Sequence, residues 1–230
     1  MFFDPLYMGV MLVGAVLSFG AQAWVKAAFS KWSQVPTGRG MTGADVARAI
    51  LRAEGIGNVT IEPVQGMLSD HYDPRSKTLR LSPDVFNGRT IASAGIAAHE
   101  VGHALQDAHG YLPMRFRQAM VPVANIGTRA GVYMVIIGLV IGWSGLSMLG
   151  VALFAGFVVF TLVTLPVEFD ASFRARRVLE QHRLLDGEEL TGVTRILTAA
   201  ASTYLAAAAT AILQLLYWAW RAGLLSNRRN

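Results

Sequence analysis

Four long apolar stretches divide the chain, separated by polar segments of shorter period. The first covers residues 6–25, where only Ser18 and Gln22 interrupt the apolar run and no formal charge occurs. About 20 such residues suffice to cross a bilayer as a helix. A second block, residues 121–167, breaks most naturally at Trp143-Ser144-Gly145. Split there, it gives two antiparallel spans over 122–142 and 146–166, with Pro166 ending the second. The fourth, residues 196–220, is alanine-rich and uncharged; it is long enough to span, or to pack as a helix on the rest of the protein.

Between the first two stretches the pattern is that of a small soluble α+β region. Thr42-Gly43-Ala44-Asp45 opens a short amphipathic helix that stops near Gly55-Ile56-Gly57. Strands are expected over 59–62 and 78–82, paired across a polar turn from Leu68 to Arg75. The pair forms a lid on the core or an edge on which an extended peptide adds as a further strand. A helix dominated by small residues runs from Thr90 to Ala108, with Gly110 and Pro113 as its stop. After Pro166, Glu168-Phe169-Asp170-Ala171-Ser172 begins another helix, which Asp186-Gly187 breaks.

The 230 residues are 53% hydrophobic and only 15% charged, against about 25% charged in a soluble domain. The expected fold is therefore a mainly α-helical integral membrane protein with three or four transmembrane helices and a small α+β region carrying short strands near 59–62 and 78–82. Its segments are an anchor (1–26), a cytoplasmic region (27–120), a two-span hairpin (121–167), a cytoplasmic helix (168–195) and an apolar helix with a basic tail (196–230). Ala21-Gln22-Ala23 imitates a signal-peptide cleavage site, but the residues before the first run hold Asp4 and no Lys or Arg. Lys26, Lys31, Arg39 and Arg48 follow that run, which places the N-terminus outside and the next segment in the cytoplasm. The net charge of +5 fits that membrane face; no nucleic-acid motif accompanies it. A fourth span would carry Arg221, Arg228 and Arg229 outward, against the same tendency. Cysteine is absent, so any metal must be held by histidine and carboxylate.

The candidate chemistry lies in the small-residue helix, at His99-Glu100-Val101-Gly102-His103. Histidines four apart share one helix face, and their nitrogens can reach one tetrahedral Zn2+ while the intervening glutamate handles a proton. A catalytic zinc takes three protein ligands and keeps a position open. His109 stands where an extended motif would place its third histidine, but that motif needs glycine at the position held by Gln106. Without the turn, ten helical steps carry His109 about 80° round and about 15 Å along the axis. Glu168, about 65 residues beyond His103 on a second helix, is the preferred third ligand. Asp170 competes with it, or orients a histidine. His71, Tyr72, Arg129 and His182 are candidates for contacts to substrate or to the oxyanion. Arg129 lies inside an apolar span, where it snorkels or pairs with an acidic residue of the site.

Together, Thr42–Arg48, Asp70–Arg75 with Thr78–Ser82, His99–Gln106 and Pro166–Ser172 resemble the YugP-type neutral zinc metallopeptidases of bacterial membranes, over nearly the whole chain. More distantly, Glu168 and Ala171 match the Glu-x-x-Ala-Asp motif of the HtpX and CAAX-protease gluzincins, with Ser172 where those enzymes have aspartate. The resemblance implies a membrane-embedded zinc endopeptidase of a bacterial inner membrane with a zincin-like α+β catalytic region. The motif chemistry adds one Zn2+ per chain and hydrolysis of a polypeptide by metal-activated water with Glu100 as base; a site at the membrane surface suits quality control or processing, with membrane proteins among the candidate substrates. The rival reading is a non-hydrolytic membrane chaperone or scaffold with structural zinc. Substrate identity and oligomeric state are not legible in the residues.

Overall fold

A computed structural model describes residues 4–66 and 69–225. Leu68 of the polar turn and the tail arginines Arg228 and Arg229 lie outside the described residues. The elements in order are α1 (Pro5–Trp32), α2 (Gly43–Ala53), β1 (Thr60–Pro63), β2 (His71–Asp73), β3 (Thr78–Leu81), α3 (Pro83–Phe86), α4 (Ile91–Ala108), α5 (Leu112–Ile126), a π-helical turn (Gly127–Gly131), α6 (Val132–Val140), α7 (Ser144–Gln181) and α8 (Gly187–Arg221). Among the described residues, four helical stretches are long and apolar enough to cross a membrane: Pro5–Trp32, Leu112–Val140, Ser144–Gln181 and Gly187–Arg221. The protein is thus a helical membrane protein with a small α+β region, as its hydropathy pattern predicts.

The chain forms two compact units. One comprises residues 1–21, 115–166 and 203–230, the other residues 22–114 and 167–202. In the first, α6 ends where Gly142 takes a left-handed φ of 73°, just before the expected Trp143-Ser144-Gly145 turn. The backbones of the resulting hairpin meet closely: a Cβ on Gly150 would lie 2.6 Å from the Gly131 carbonyl oxygen. Small residues permit this approach, which is how helices associate where water supplies no hydrophobic drive. Arg129 sits exposed in the π-helical turn, and no ion pair to it occurs among the described residues. At the ends of α1 and α8, Asp4 accepts from the Tyr217 hydroxyl at 3.2 Å and lies 3.7 Å from the Arg221 guanidinium.

Pro166 does not end a helix. It stands inside α7, which continues to Gln181. A proline costs the helix one hydrogen bond, that to the Leu162 carbonyl, and transmembrane helices tolerate such gaps. The Glu168 segment is therefore mid-helix, not the start of a new one.

The second unit is built on a core of α2, α4 and the lower part of α7, with Val46, Ile50, Leu79, Ile91, Val101, Val167 and Leu179 among its fully buried side chains. Its sheet has the order β1-β3-β2. The expected pair of strands exists as β1 and β3, but it is parallel; a parallel pair cannot be closed by a tight turn. The polar connection instead contributes β2, antiparallel to β3 and at an edge of the sheet. Three residues with Tyr72 buried between His71 and Asp73 are too few for alternation to stand out in the sequence.

At the start of α2, Thr42 Oγ1 accepts from the Asp45 N–H at 3.1 Å, and the Asp45 carboxylate accepts from the Thr42 N–H at 3.2 Å. This reciprocal cap satisfies two of the helix's orphan donors. Thr42→Ala is expected to cost about 1 kcal/mol, read as a lowered thermal midpoint. The hydrogen bonds of the Thr42 hydroxyl and backbone, with Arg48 nearby, hold the Asp45 carboxyl below its ordinary value. Its contribution is therefore full above the usual carboxylate range and lost as pH falls through the depressed folded value. The stability gap between wild type and Asp45→Asn should accordingly shrink on acidification.

Candidate metal centre

Residues on α4 and α7 with the same spacing build the site. Thr90 caps α4, its hydroxyl accepting from the Ser93 N–H at 3.2 Å. His99, Gly102, His103 and Gln106 follow the i, i+3, i+4, i+7 pattern that lines one face of a helix. On α7, Glu168, Ala171, Ser172 and Ala175 repeat that spacing. The two stripes meet at their small members: a Cβ added to Gly102 would stand 2.4 Å from the Ala171 carbonyl oxygen. Backbone-to-backbone approach at this point brings the longer side chains above it together.

His99, His103 and Glu168 offer ligand atoms that all lie within 4.8 Å of one another. Glu168 Oε2 is 3.3 Å from His99 Nε2 and 3.6 Å from His103 Nε2. Zinc at its usual distance of about 2.0–2.1 Å from nitrogen and oxygen has ligands about 3.3–3.4 Å apart in a tetrahedron, so these two edges suit a single ion. Each imidazole turns its other nitrogen to a neighbour: His99 Nδ1 is 3.2 Å from Ser172 Oγ, and His103 Nδ1 is 3.0 Å from Gln106 Oε1. The cluster is secluded, with His103 8% and Glu168 3% exposed. Burial works against charge on His103, but the facing Glu168 carboxylate and the neighbouring Glu100 carboxylate more than offset this and raise its pKa above the ordinary value. The donor set of two imidazoles and one carboxylate fits a zinc ion.

Glu100 lies one residue round the helix from His99. It is 9% exposed, and its Oε2 accepts from the Tyr72 backbone N–H at 3.1 Å. The edge strand β2 thus fixes one carboxylate oxygen. The Tyr72 hydroxyl is turned elsewhere, donating to Asp107 at 2.8 Å; burial and that carboxylate push it well above the usual phenol range.

Asp170 accepts from the Gln106 side chain at 2.8 Å and from Arg174 Nε at 2.6 Å, behind the cluster and outside the ligand group. His71 is exposed, with Nδ1 2.7 Å from the Ser69 carbonyl. His109 caps the C-terminal end of α4 and lies 3.1 Å from Arg174. His182, beyond the end of α7 and about 20 Å along the helix from Glu168, is bonded to Glu54 at 2.7 Å. Arg129 belongs to the other unit. Two participants escaped the residue-by-residue reading. Gln106 was visible only as the wrong residue for a chain turn, and Ser172 only as a departure from an aspartate. The matching stripes were the available signal.

A family model described as putative neutral zinc metallopeptidase matches residues 7–223. The chain is 41% identical over 211 residues to a protein of Bacillus subtilis (strain 168) named Putative membrane protease YugP, covering 92% of this chain and 94% of that protein. The chain therefore belongs to the neutral zinc metallopeptidase family. No solved structure matches it.

The approach of α4 to α7 reverses the usual sign of a glycine substitution. In an open helix Gly→Ala stabilises by about 1 kcal/mol. At Gly102 the added carbon meets backbone, so the helices must separate. Gly102→Ala is expected to weaken zinc retention at least tenfold in a chelator competition and to lower the thermal midpoint, with helical content preserved.

Proposed function

We propose that the protein is a membrane-embedded zinc endopeptidase in which His99, His103 and Glu168 hold one Zn2+ and Glu100 is the general base. The observation that carries this reading is the convergence of Glu168 on both histidine Nε2 atoms, with the Glu100 carboxylate anchored beside them by a backbone N–H. His99, His103 and Glu168 would hold the zinc ion, which would supply Lewis acidity toward water and the scissile carbonyl. Glu100 receives the water's proton through the oxygen that β2 leaves free, then returns it to the leaving amine. Its tether to Tyr72 limits the carboxylate's motion, so little reorganisation accompanies each transfer. A purely structural zinc site would have no use for such a carboxylate.

The substrate is a polypeptide, which we place along β2, the edge strand that already touches Glu100. An extended segment pairing there would carry its backbone past the metal ligands. Membrane proteins are the expected class, since the same chain supplies four helices of membrane-spanning length. The catalytic unit is assigned to the cytoplasmic side of the inner membrane, because Lys26, Lys31, Arg39 and Arg48 all follow the first span. Arg221 at the far end of α8 would then lie outside, where pairing with Asp4 offsets its charge.

Two experiments test these assignments. With zinc loaded, Glu100→Gln should bind metal as wild type does and lose about 10²–10⁴-fold in casein hydrolysis; equal activity would refute the base. Glu168→Ala should lose zinc while His109→Ala keeps it, as measured by metal analysis.

Topology is accessible because the chain has no cysteine. In spheroplasts, an impermeant maleimide should label Trp143→Cys at the hairpin turn and spare Asn58→Cys until the membrane is permeabilised. The reverse pattern would put the site outside.

A further inference from the structure

Gln106 is fully buried and makes three hydrogen bonds, none required by the ligand set alone. Its Nε2 lies 2.7 Å from the Val167 carbonyl oxygen and 2.8 Å from Asp170 Oδ2. Both partners can only accept, because Asp170 is itself held at 2.6 Å by the Arg174 guanidinium. An amide's two ends are told apart by such a network, and here the end carrying hydrogens is fixed. The other end, Oε1, must therefore accept, and what it accepts is the proton on His103 Nδ1, 3.0 Å away. With its proton on Nδ1, the imidazole has its lone pair on Nε2, the atom that faces Glu168.

We propose that Gln106 is a positioning residue that fixes the tautomer of His103 and locks it to the helical turn that carries Glu168. The inference rests on the zinc reading given above and adds a residue to it. Val167, which accepts from the amide, directly precedes Glu168. One side chain therefore sets two ligands that are 65 positions apart in the chain. The arrangement also explains why this helix carries glutamine where a locally completed motif would turn back at glycine: the third ligand arrives on α7, and an amide is needed to register α7 against α4. Residues that hold a metal-bound histidine are typically worth 10–100-fold in metal affinity or activity.

Glutamine has a property that a filler residue lacks, the polarity of its contact with Asp170, and the test turns on it. Full-length protein is compared as wild type, Gln106→Leu, Gln106→Glu and the double variant Gln106→Glu/Asp170→Asn, with zinc affinity from chelator competition and the visible spectrum of the cobalt-substituted site as readouts. Gln106→Leu keeps the volume and should lose 10–100-fold in zinc affinity. Gln106→Glu can still accept from His103 but sets an oxygen against the Val167 carbonyl and the Asp170 carboxylate; a comparable loss and an altered cobalt spectrum are expected. In the double variant the new amide donates back, and at least tenfold of the affinity should return.

A filler role would show Gln106→Leu within twofold of wild type, and would overturn the proposal. So would a Gln106→Glu variant that binds zinc as well as wild type, or a double variant no better than Gln106→Glu. A wild-type protein that takes up no zinc, or a His103→Ala variant that binds it undiminished, would instead refute the metal site itself and this inference with it.

Discussion

The constraint on which the site depends is the contact between Gly102 and the Ala171 carbonyl. Three side chains can share one ion only if the helices bearing them come close enough for short arms to meet. A glutamate on one helix and two histidines on another have little reach to spare, so any residue at position 102 larger than glycine would hold α4 and α7 apart. Placing the smallest residue between the two histidines lets the helix serve as both ligand platform and contact surface. Ala171 performs the matching task on α7, between Glu168 and the Ser172 that faces His99.

Close packing also determines how the buried polar groups are satisfied. Among the contacts of the two histidines, the Nδ1 partners are neutral, a serine hydroxyl and a glutamine amide. The Asp170 carboxylate stands one hydrogen bond beyond Gln106 and is paired with Arg174. Negative charge is thus concentrated on Glu168 and Glu100, where a cation and a transferable proton would use it. An additional unpaired carboxylate in this secluded space would raise the desolvation cost without adding a ligand.

Much of this was legible in the sequence. The four apolar stretches, the capped α2 and the motif helix follow directly from residue patterns, because each depends on local periodicity and on caps within a few positions. The sequence also singled out Glu168, through its place on a helix downstream of the motif. What escaped reading depended on partners distant in the chain. The parallel register of β1 and β3 is set by a crossover, and β2 is recognisable only once β3 lies beside it. The continuation of α7 through Pro166 runs against a local rule, because one missing hydrogen bond is a small cost to a long, well-packed helix. Gln106 could be excluded as a turn residue, but its amide has meaning only when Val167 and Asp170 lie against it.

The division of the proposed ligand set between two helices would also link metal binding to folding. Two of the proposed ligands come from within one helix and are near each other in any state where α4 is helical. The third is separated from them by α5, α6 and most of the apolar part of α7. An ion bound by all three therefore stabilises the assembled state over any in which α7 has come away, by the difference in its affinity for three ligands and for two. Gln106 contributes to that selectivity because its amide is fully bonded only when α7 is docked. The docked arrangement offers the ion a third ligand and an imidazole of the correct tautomer; the undocked one offers neither. On the proposed ligand set, docking of α7 against α4 would complete the metal centre.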